Sequence, residues 1–264
     1  MASMRNFAVV LCLIVCSSQA LAANFSLNNI DETDMKQIVG DISTNFLHTT
    51  VSGASTLGTL FGFEVGVVGG QTKTPHINDL VMATDPTATA DKIPHVGLIG
   101  ILTVPLGITA EMGLLPRLGK EDFRLSSTSV AVKWTPTEVL LDWPLSLAIK
   151  ASYTQSKLAF KQEISNVPIS YDYENKETAV MAMVSKNLAI VEPYFGVGTV
   201  SAKGDLAADV STVFTNGGYS LGAKRTGTVW VVGTELKLLF VKLGAEYTNM
   251  FNTSRVTGKL AFYF

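Results

Sequence analysis

Cysteine is almost missing from this sequence. The two present, Cys12 and Cys16, both lie in the first apolar stretch. The rest of the chain can therefore form no internal disulfide and offers no thiol chemistry. Long apolar runs are missing too. A membrane helix takes about 20 consecutive apolar residues, and no segment beyond residue 22 comes near that length. This excludes a helical membrane protein, although 47% of the residues are hydrophobic. Charge is scarce, at 16%, and nearly balanced, with 20 Lys and Arg against 22 Asp and Glu. There is no basic run or stripe, so nothing points to nucleic acid. The three histidines include no pair at metal-ligand spacing, so no metal or other cofactor is expected. No glycine loop opens a helix to cradle phosphate: Gly69-Gly70 follows an apolar alternating run and leads into a loop.

The first residues form an export signal. Arg5 supplies a positive start, Phe7 to Val15 a short apolar core, and Ala20-Leu21-Ala22 a small-x-small cleavage site. This predicts a signal peptide over 1–22. Leu13-Ile14-Val15-Cys16 loosely matches a lipid-attachment box, but Val15 is bulkier than the small residue such a box needs before its cysteine.

Two periodicities follow. Over 29–48 the apolar residues Met35, Ile38, Val39, Ile42 and Phe46 recur at helical spacing. Asn29 is the expected cap, with Glu32 completing a capping box and Asp31 and Asp34 favourably near the positive end of the helix dipole. The small polar stretch Val51–Gly58 reads as a linker. The expected units are a signal at 1–22, a helix and linker at 23–57, and a third unit at 58–264. Across that third unit the period becomes two. Ten strands are predicted, near 59–70, 94–104, 107–116, 122–134, 144–159, 172–186, 190–203, 225–239, 240–250 and 253–264. Phe61, Phe63, Val65 and Val67 alternate with Gly62, Glu64 and Gly66. Leu145, Leu147, Ile149, Ala151 and Tyr153 alternate with Ser146, Ala148, Lys150 and Ser152. In the second and sixth strands both faces are apolar or small.

Alternation with so few charges fits a transmembrane antiparallel up-and-down β-barrel, which spreads its apolar residues over every second position. The connections agree. If the first strand runs outward, the long polar connections 71–93, 160–171 and 204–224 fall outside. The short ones, 104–107, 187–190 and 239–241, fall inside, with 135–143 the one longer inner turn. Residues 209–215 could instead extend a hairpin outside the membrane.

Over 58–264 the chain resembles the bacterial outer-membrane β-barrel class. The signal, the alternating strands and the ending Gly258-Lys259-Leu260-Ala261-Phe262-Tyr263-Phe264 carry that resemblance. It implies an outer-membrane location and lipid contact. It also implies that Leu260, Phe262 and Phe264 match the signal read by the barrel-assembly machinery.

Glu64, Glu111, Lys133, Lys150, Glu192, Glu235, Lys237, Lys242, Glu246 and Lys259 all fall opposite the apolar stripe. A charge facing lipid costs about 2–4 kcal/mol near the midplane, so these ten are expected in the lumen. They either pair and fill a narrow barrel or line a polar pore. Trp134, Trp143 and Phe264 at inner strand ends, with Tyr153 and Tyr247 towards the outer ends, suggest two interfacial girdles. The helix at 29–48 is expected to plug the lumen or dock across the periplasmic mouth. Its acidic first turn argues against lying on anionic lipid. His48 ends that helix. His76 with Asp79, and His95, are expected at the outer end of the first hairpin. None sits in a pattern with a nucleophile, and the omptin proteases' acidic pairs and Asp-His couple are not matched, so no catalytic residue is expected. The leading expectation is a non-enzymatic narrow channel for small solutes. The alternatives are a structural or adhesive barrel acting through loops 71–93 and 204–224, and a rim enzyme using His76 or His95.

Overall fold

The computed structural model describes residues 31–58, 61–84, 86–87, 89–118, 123–140, 143–164, 167–211 and 216–264. The signal peptide, its cleavage site, both cysteines and Asn29 lie outside these residues. Ten antiparallel strands close into one barrel in sequence order: β1 Gly62–Lys73, β2 Lys92–Val104, β3 Ile108–Leu118, β4 Phe123–Trp134, β5 Ser146–Ile164, β6 Val167–Ser185, β7 Val191–Ser211, β8 Asn216–Leu238, β9 Val241–Met250 and β10 Thr253–Tyr263. β1 pairs with β10 to complete the wall. Phe264 locks that seam: its N–H donates to the Phe63 carbonyl at 2.8 Å, and its own carbonyl accepts from Phe63 N at 2.9 Å. Closure leaves no edge strand and no unpaired ladder facing lipid there.

The outer wall carries an apolar belt at the end where β10 terminates. Phe63, Val65, Val67, Leu102, Met112, Val132, Ile149, Phe195, Val232, Leu243, Leu260 and Phe262 are all exposed. Aromatic residues rim it. Trp134, Trp143, Phe240 and Phe264 are exposed at the lower edge, and Tyr153, Trp230 and Tyr247 at the upper. Trp230 and Tyr247 pack with ring centroids 5.3 Å apart. The protein is an outer-membrane β-barrel, with lipid on this belt.

Turn chemistry differs between the two ends. At the lower end Pro105–Gly107 makes a short 3-10 turn, and Leu239-Phe240 alone separates β8 from β9. At the upper end Phe251 and Asn252 both have positive φ, 55° and 66°, which is the two-residue hairpin geometry that matches strand twist. The predicted long loops 160–171 and 204–224 are not loops. β5, β6, β7 and β8 run 19, 19, 21 and 23 residues, about twice the 9–11 that cross a bilayer. Their ladders continue through Phe160↔Tyr171 and Leu206↔Leu221. The Asn, Gly and Asp residues read as breakers are small enough to stay in register there. Only the first outer connection, 74–91, is long, and it contains a second helix, α2, Pro75–Thr84.

The N-terminal helix α1 spans Glu32–Phe46. Its cap is Asp31 rather than Asn29: the Asp31 carboxylate accepts from Asp34 N at 2.8 Å, and Asp34 accepts from Asp31 N at 3.3 Å. The helix therefore begins two residues later than a cap at Asn29 would give. It lies inside the barrel, packed on β8, β10, β1 and β7 and against α2. From the helix end the chain runs down the lumen as an extended strap, 47–58, and then enters β1. Helix and strap together fill the barrel, so the wall's inward residues have a protein partner.

Candidate functional site

The site is the occupied lumen. Every one of the ten sequence-predicted lumenal charges points inward, and nine are buried; Lys237 is half-buried near the lower mouth. Nine of them gather into three groups, and Glu246 stands apart. Lys242 lies 2.9 Å from both Glu64 and Glu235, and Lys259 bridges the same two carboxylates, 2.8 Å from Glu64 and in contact with Glu235. Two lysines thus neutralise two glutamates in a closed square. Lys150 pairs with Glu111 at 2.7 Å, with Lys133 at 3.8 Å from the same carboxylate. Lys237 pairs with Glu192 at 2.8 Å. Glu246 receives the Tyr194 hydroxyl at 2.9 Å and lies 3.6 Å from Arg255. Their inward placement follows from strand parity, since each of these side chains stands opposite a lipid-facing apolar residue on its own strand, and the register of β1, β8, β9 and β10 brings the square together.

The strap threads this charged layer and is bonded along its length. His48 Nε2 meets Glu111 at 3.1 Å and its Nδ1 meets Ser129 Oγ at 2.7 Å. Thr50 donates to Glu111 at 2.9 Å and Thr49 to Glu246 at 2.8 Å. Lys133 Nζ donates to the carbonyls of Gly53 and Ser55 at 2.7 and 3.1 Å. Ser55 Oγ donates to Glu192 at 2.6 Å. Thr135 Oγ1 donates to the Ala54 carbonyl at 2.7 Å. These contacts answer the backbone and side-chain polar groups that the strap would otherwise bury unpaired. The fit is close: a Cβ added at Gly244 would lie 2.8 Å from Val51 Cγ1. Val51 itself has φ 47°, a strained value for a β-branched residue.

Above this layer the lumen is apolar. Met35, Ile38, Val39 and Ile42 of α1 pack with Tyr173, Val200, Ala202, Ala223, Val229 and Met250 of the wall. Two buried carboxylates stand within it, Glu177 on β6 and Asp41 on α1. Asp41 accepts from the backbone N–H of His76 and Ile77, at 3.0 and 3.1 Å, and from Thr253 Oγ1 at 2.7 Å. The His76 ring lies 3.0 Å from the same carboxylate. α1 is thereby tied to α2 at the outer mouth, where a groove of about 300 Å³ runs past Lys73, Asp79, Asp91 and Asn252.

His76 and His95 stand at the outer end of the first hairpin, as expected, but with partners the sequence did not indicate, and His48 is more central than its place at the helix end suggested. His76 partners Asp41, not Asp79. His95 lies on β2, within the strand predicted at 94–104, faces the lumen and reaches Thr257 Oγ1 at 3.0 Å. His48 sits at the centre of the charged layer. Arg255 was also missed, although it shares the parity of Thr257 and Lys259 on β10. It is fully buried and donates to the Leu47 carbonyl at 2.6 Å. Leu260, Phe262 and Phe264 stand exposed on the outer face of the closing strand.

No curated protein matches the chain in sequence. Solved barrels resemble it loosely. The attachment invasion locus protein Ail of Yersinia pestis is 14% identical, covering 77% of this chain and 97% of its own, with a TM-score of 0.35. The Escherichia coli outer membrane protease OmpT is 10% identical, covering 80% and 100%, at 0.44. The Pseudomonas putida toluene transporter TodX is 9% identical, covering 87% and 97%, at 0.38. The family model that matches spans residues 19–262, and the chain belongs to that family, the family of unknown function DUF6588.

Proposed function

We propose that this barrel is a gated passive transporter for small, partly apolar solutes, with residues 31–58 as the gate. One observation carries the reading: the lumen is closed by a segment of the chain itself, not by the wall. The strap is held by individually weak polar contacts, each worth about 0.5–1.5 kcal/mol net, to groups that also pair within the wall. Withdrawal of the strap leaves Glu64, Glu235, Lys242 and Lys259 paired as before and bares a narrow polar path. Planar-bilayer recording tests this. The full chain is expected to be closed with brief openings, and a chain lacking 31–57 steadily conducting. A silent deletion variant that still folds refutes the transporter, and a full chain that conducts steadily refutes the gate.

A second reading, an adhesive barrel, draws on the tall β5–β8 wall, which projects well beyond the apolar belt and offers a surface to a partner. Catalysis is not part of either reading. Ser129, His48 and Glu111 do form a chain of contacts, but Glu111 is already engaged by Lys150 and Thr50. The contacts bind strap to wall rather than free a base. Leu260, Phe262 and Phe264 are read as the motif that the barrel-assembly machinery recognises.

A further inference from the structure

One seam of the wall is incomplete. β2 and β3 are paired only from Leu98↔Leu114 to Val104↔Ile108. Above that point Lys92–Gly97 of β2 and Leu115–Leu118 of β3 have no described partner across the seam. The cause is in the sequence. Pro94 and Pro116, one on each strand, lack the N–H that a ladder needs. The β3–β4 register also shifts between Leu115 and Leu118. Glycine thins the wall here: Gly97 and Gly113 face inward on the two strands. A Cβ at Gly97 would sit in ordinary contact, 3.5 Å from the Leu114 carbonyl and 3.6 Å from Val68 Cγ2, so a side chain can start there without a clash.

Behind the seam lies a cavity of about 60 Å³. Its lining runs from lipid-facing Leu98 and Leu114 to lumenal Ile99, Asn45, His95 and Arg255. The two leucines are 50% and 40% exposed, which sets the opening within the apolar belt. Three of the lumenal residues hold unanswered polar atoms. Among the described residues neither side-chain atom of Asn45 has a partner, and nor do His95 Nδ1 and Arg255 Nε. Asn45 is 3% exposed and Arg255 1%. A buried polar group left unpaired costs about 1–3 kcal/mol, and four such atoms on three residues that line one small cavity mark a place suited to an oxygen-bearing group.

We propose that the β2–β3 seam is a lateral portal that takes a single-chain amphiphile from the bilayer, with its carboxyl or hydroxyl head seated at Asn45, His95 and Arg255 and its chain leaving the seam just above the last pair, Leu98↔Leu114, to lie against those two leucines in lipid. The cavity is too small for more than the head, and the chain remains in lipid, where its burial is already satisfied. The Asn45 amide and Arg255 Nε–H donate to the head; Asn45 Oδ1 and His95 Nδ1 answer a hydroxyl hydrogen. The site is complete with the strap in place, so it does not rest on the gating reading.

The test uses the full chain in detergent micelles with two photoreactive probes, dodecanoic acid and 1-dodecanol, each carrying a diazirine on the chain. Cross-links mapped by mass spectrometry are expected on β2 and β3 around Leu98 and Leu114. Gly97→Leu, whose side chain would occupy the cavity that Gly97 lines, is expected to lower that labelling about ten-fold, and Asn45→Ala several-fold, as loss of one or two hydrogen bonds implies. A Val96→Cys, Pro116→Cys pair extends the register by two positions. Its disulfide is expected to block labelling until a reductant is added. Preference for the acid assigns the head to Arg255, and equal labelling assigns it to Asn45 and His95; both support the portal. Labelling spread evenly around the belt, or unchanged in folded Gly97→Leu and in the oxidised pair, overturns it. A barrel that never conducts yet labels at the seam keeps the portal and loses only the gate.

Discussion

The lumen has two halves, closed in different ways. In the lower half the strap meets charge: Glu111, Glu192 and Glu246 receive His48, Thr50, Ser55 and Thr49, and Lys133 grips two strap carbonyls. In the upper half α1 meets apolar wall. Tyr194 stands on the border, its ring in the apolar cluster and its hydroxyl on Glu246. Hydrogen bonds and ion pairs are directional and fix one register of the strap. Apolar burial is not directional and contributes energy roughly in proportion to area. The lower half therefore specifies where the plug sits, and the upper half supplies much of what holds it. A gate needs both, because a segment held only by burial could slide and one held only by polar contacts would exchange them for water.

The sharpest break in this comparison lies in the lower half. Lys259→Ala leaves Glu64 and Glu235 facing each other with Lys242 alone between them. Removing one partner of a buried ion pair costs about 3–5 kcal/mol. The variant is expected to lose its heat-modifiable gel mobility at a markedly lower urea concentration than the native chain. Replacing the whole square with apolar residues of similar volume is expected to be far milder, since the charges would go as well as their partner. A Lys259→Ala barrel as stable as the native one would mean the square is hydrated and its charges weakly coupled.

In the upper half Met35→Ala removes a fully buried side chain from α1. Deletions of this kind cost about 2–5 kcal/mol, here charged to the plug rather than to the wall. The wall's ladders are untouched, so urea resistance of the barrel is expected to change little. Hydrogen exchange is expected to rise along α1 and in α2, which is tied to it through Asp41. If exchange rises in the strap at 47–58 as much as in α1, the two halves act as one unit and the comparison fails.

The barrel was legible in the sequence because its signal is local. A side chain's face depends only on parity along its own strand, so ten strands and ten inward charges could be read without knowing any neighbour. What was not legible is what joins distant segments. His48 meets residues 63 and 81 positions away, and Asp41 meets Thr253 across 212; no period carries that information. Arg255 was within reach of the parity rule, since the strand predicted over 253–264 already contained it. The tall hairpins were misread because Gly204, Asp205 and Gly222 look like breakers when taken singly. The alternation of Leu206 and Ala208 with their neighbours continues through them.

The smallest effect belongs to that tall wall, and it serves as the control for the two halves. Lys157 and Lys176 lie 3.8 and 3.5 Å from Glu174, on hairpin segments above the apolar belt. Both lysines are largely exposed, at 64% and 48% of the side chain. Solvent screens such pairs, and each contributes about 0–1 kcal/mol. Lys157→Ala is expected to shift the urea midpoint barely at all, and less still at high salt, where even the residual attraction falls away. The same lysine-to-alanine change thus has a large effect at Lys259 and almost none at Lys157, although both residues sit on strands of one wall and face a glutamate on the neighbouring strand. The difference is the face: Lys259 points into the lumen beneath the strap and helix, whereas Lys157 and Glu174 stand on the outer face of the wall, opposite the buried Ser156 and Asn175. A Lys157→Ala variant as unstable as Lys259→Ala would show that the hairpins are packed against something, and would favour the adhesive reading over the gate.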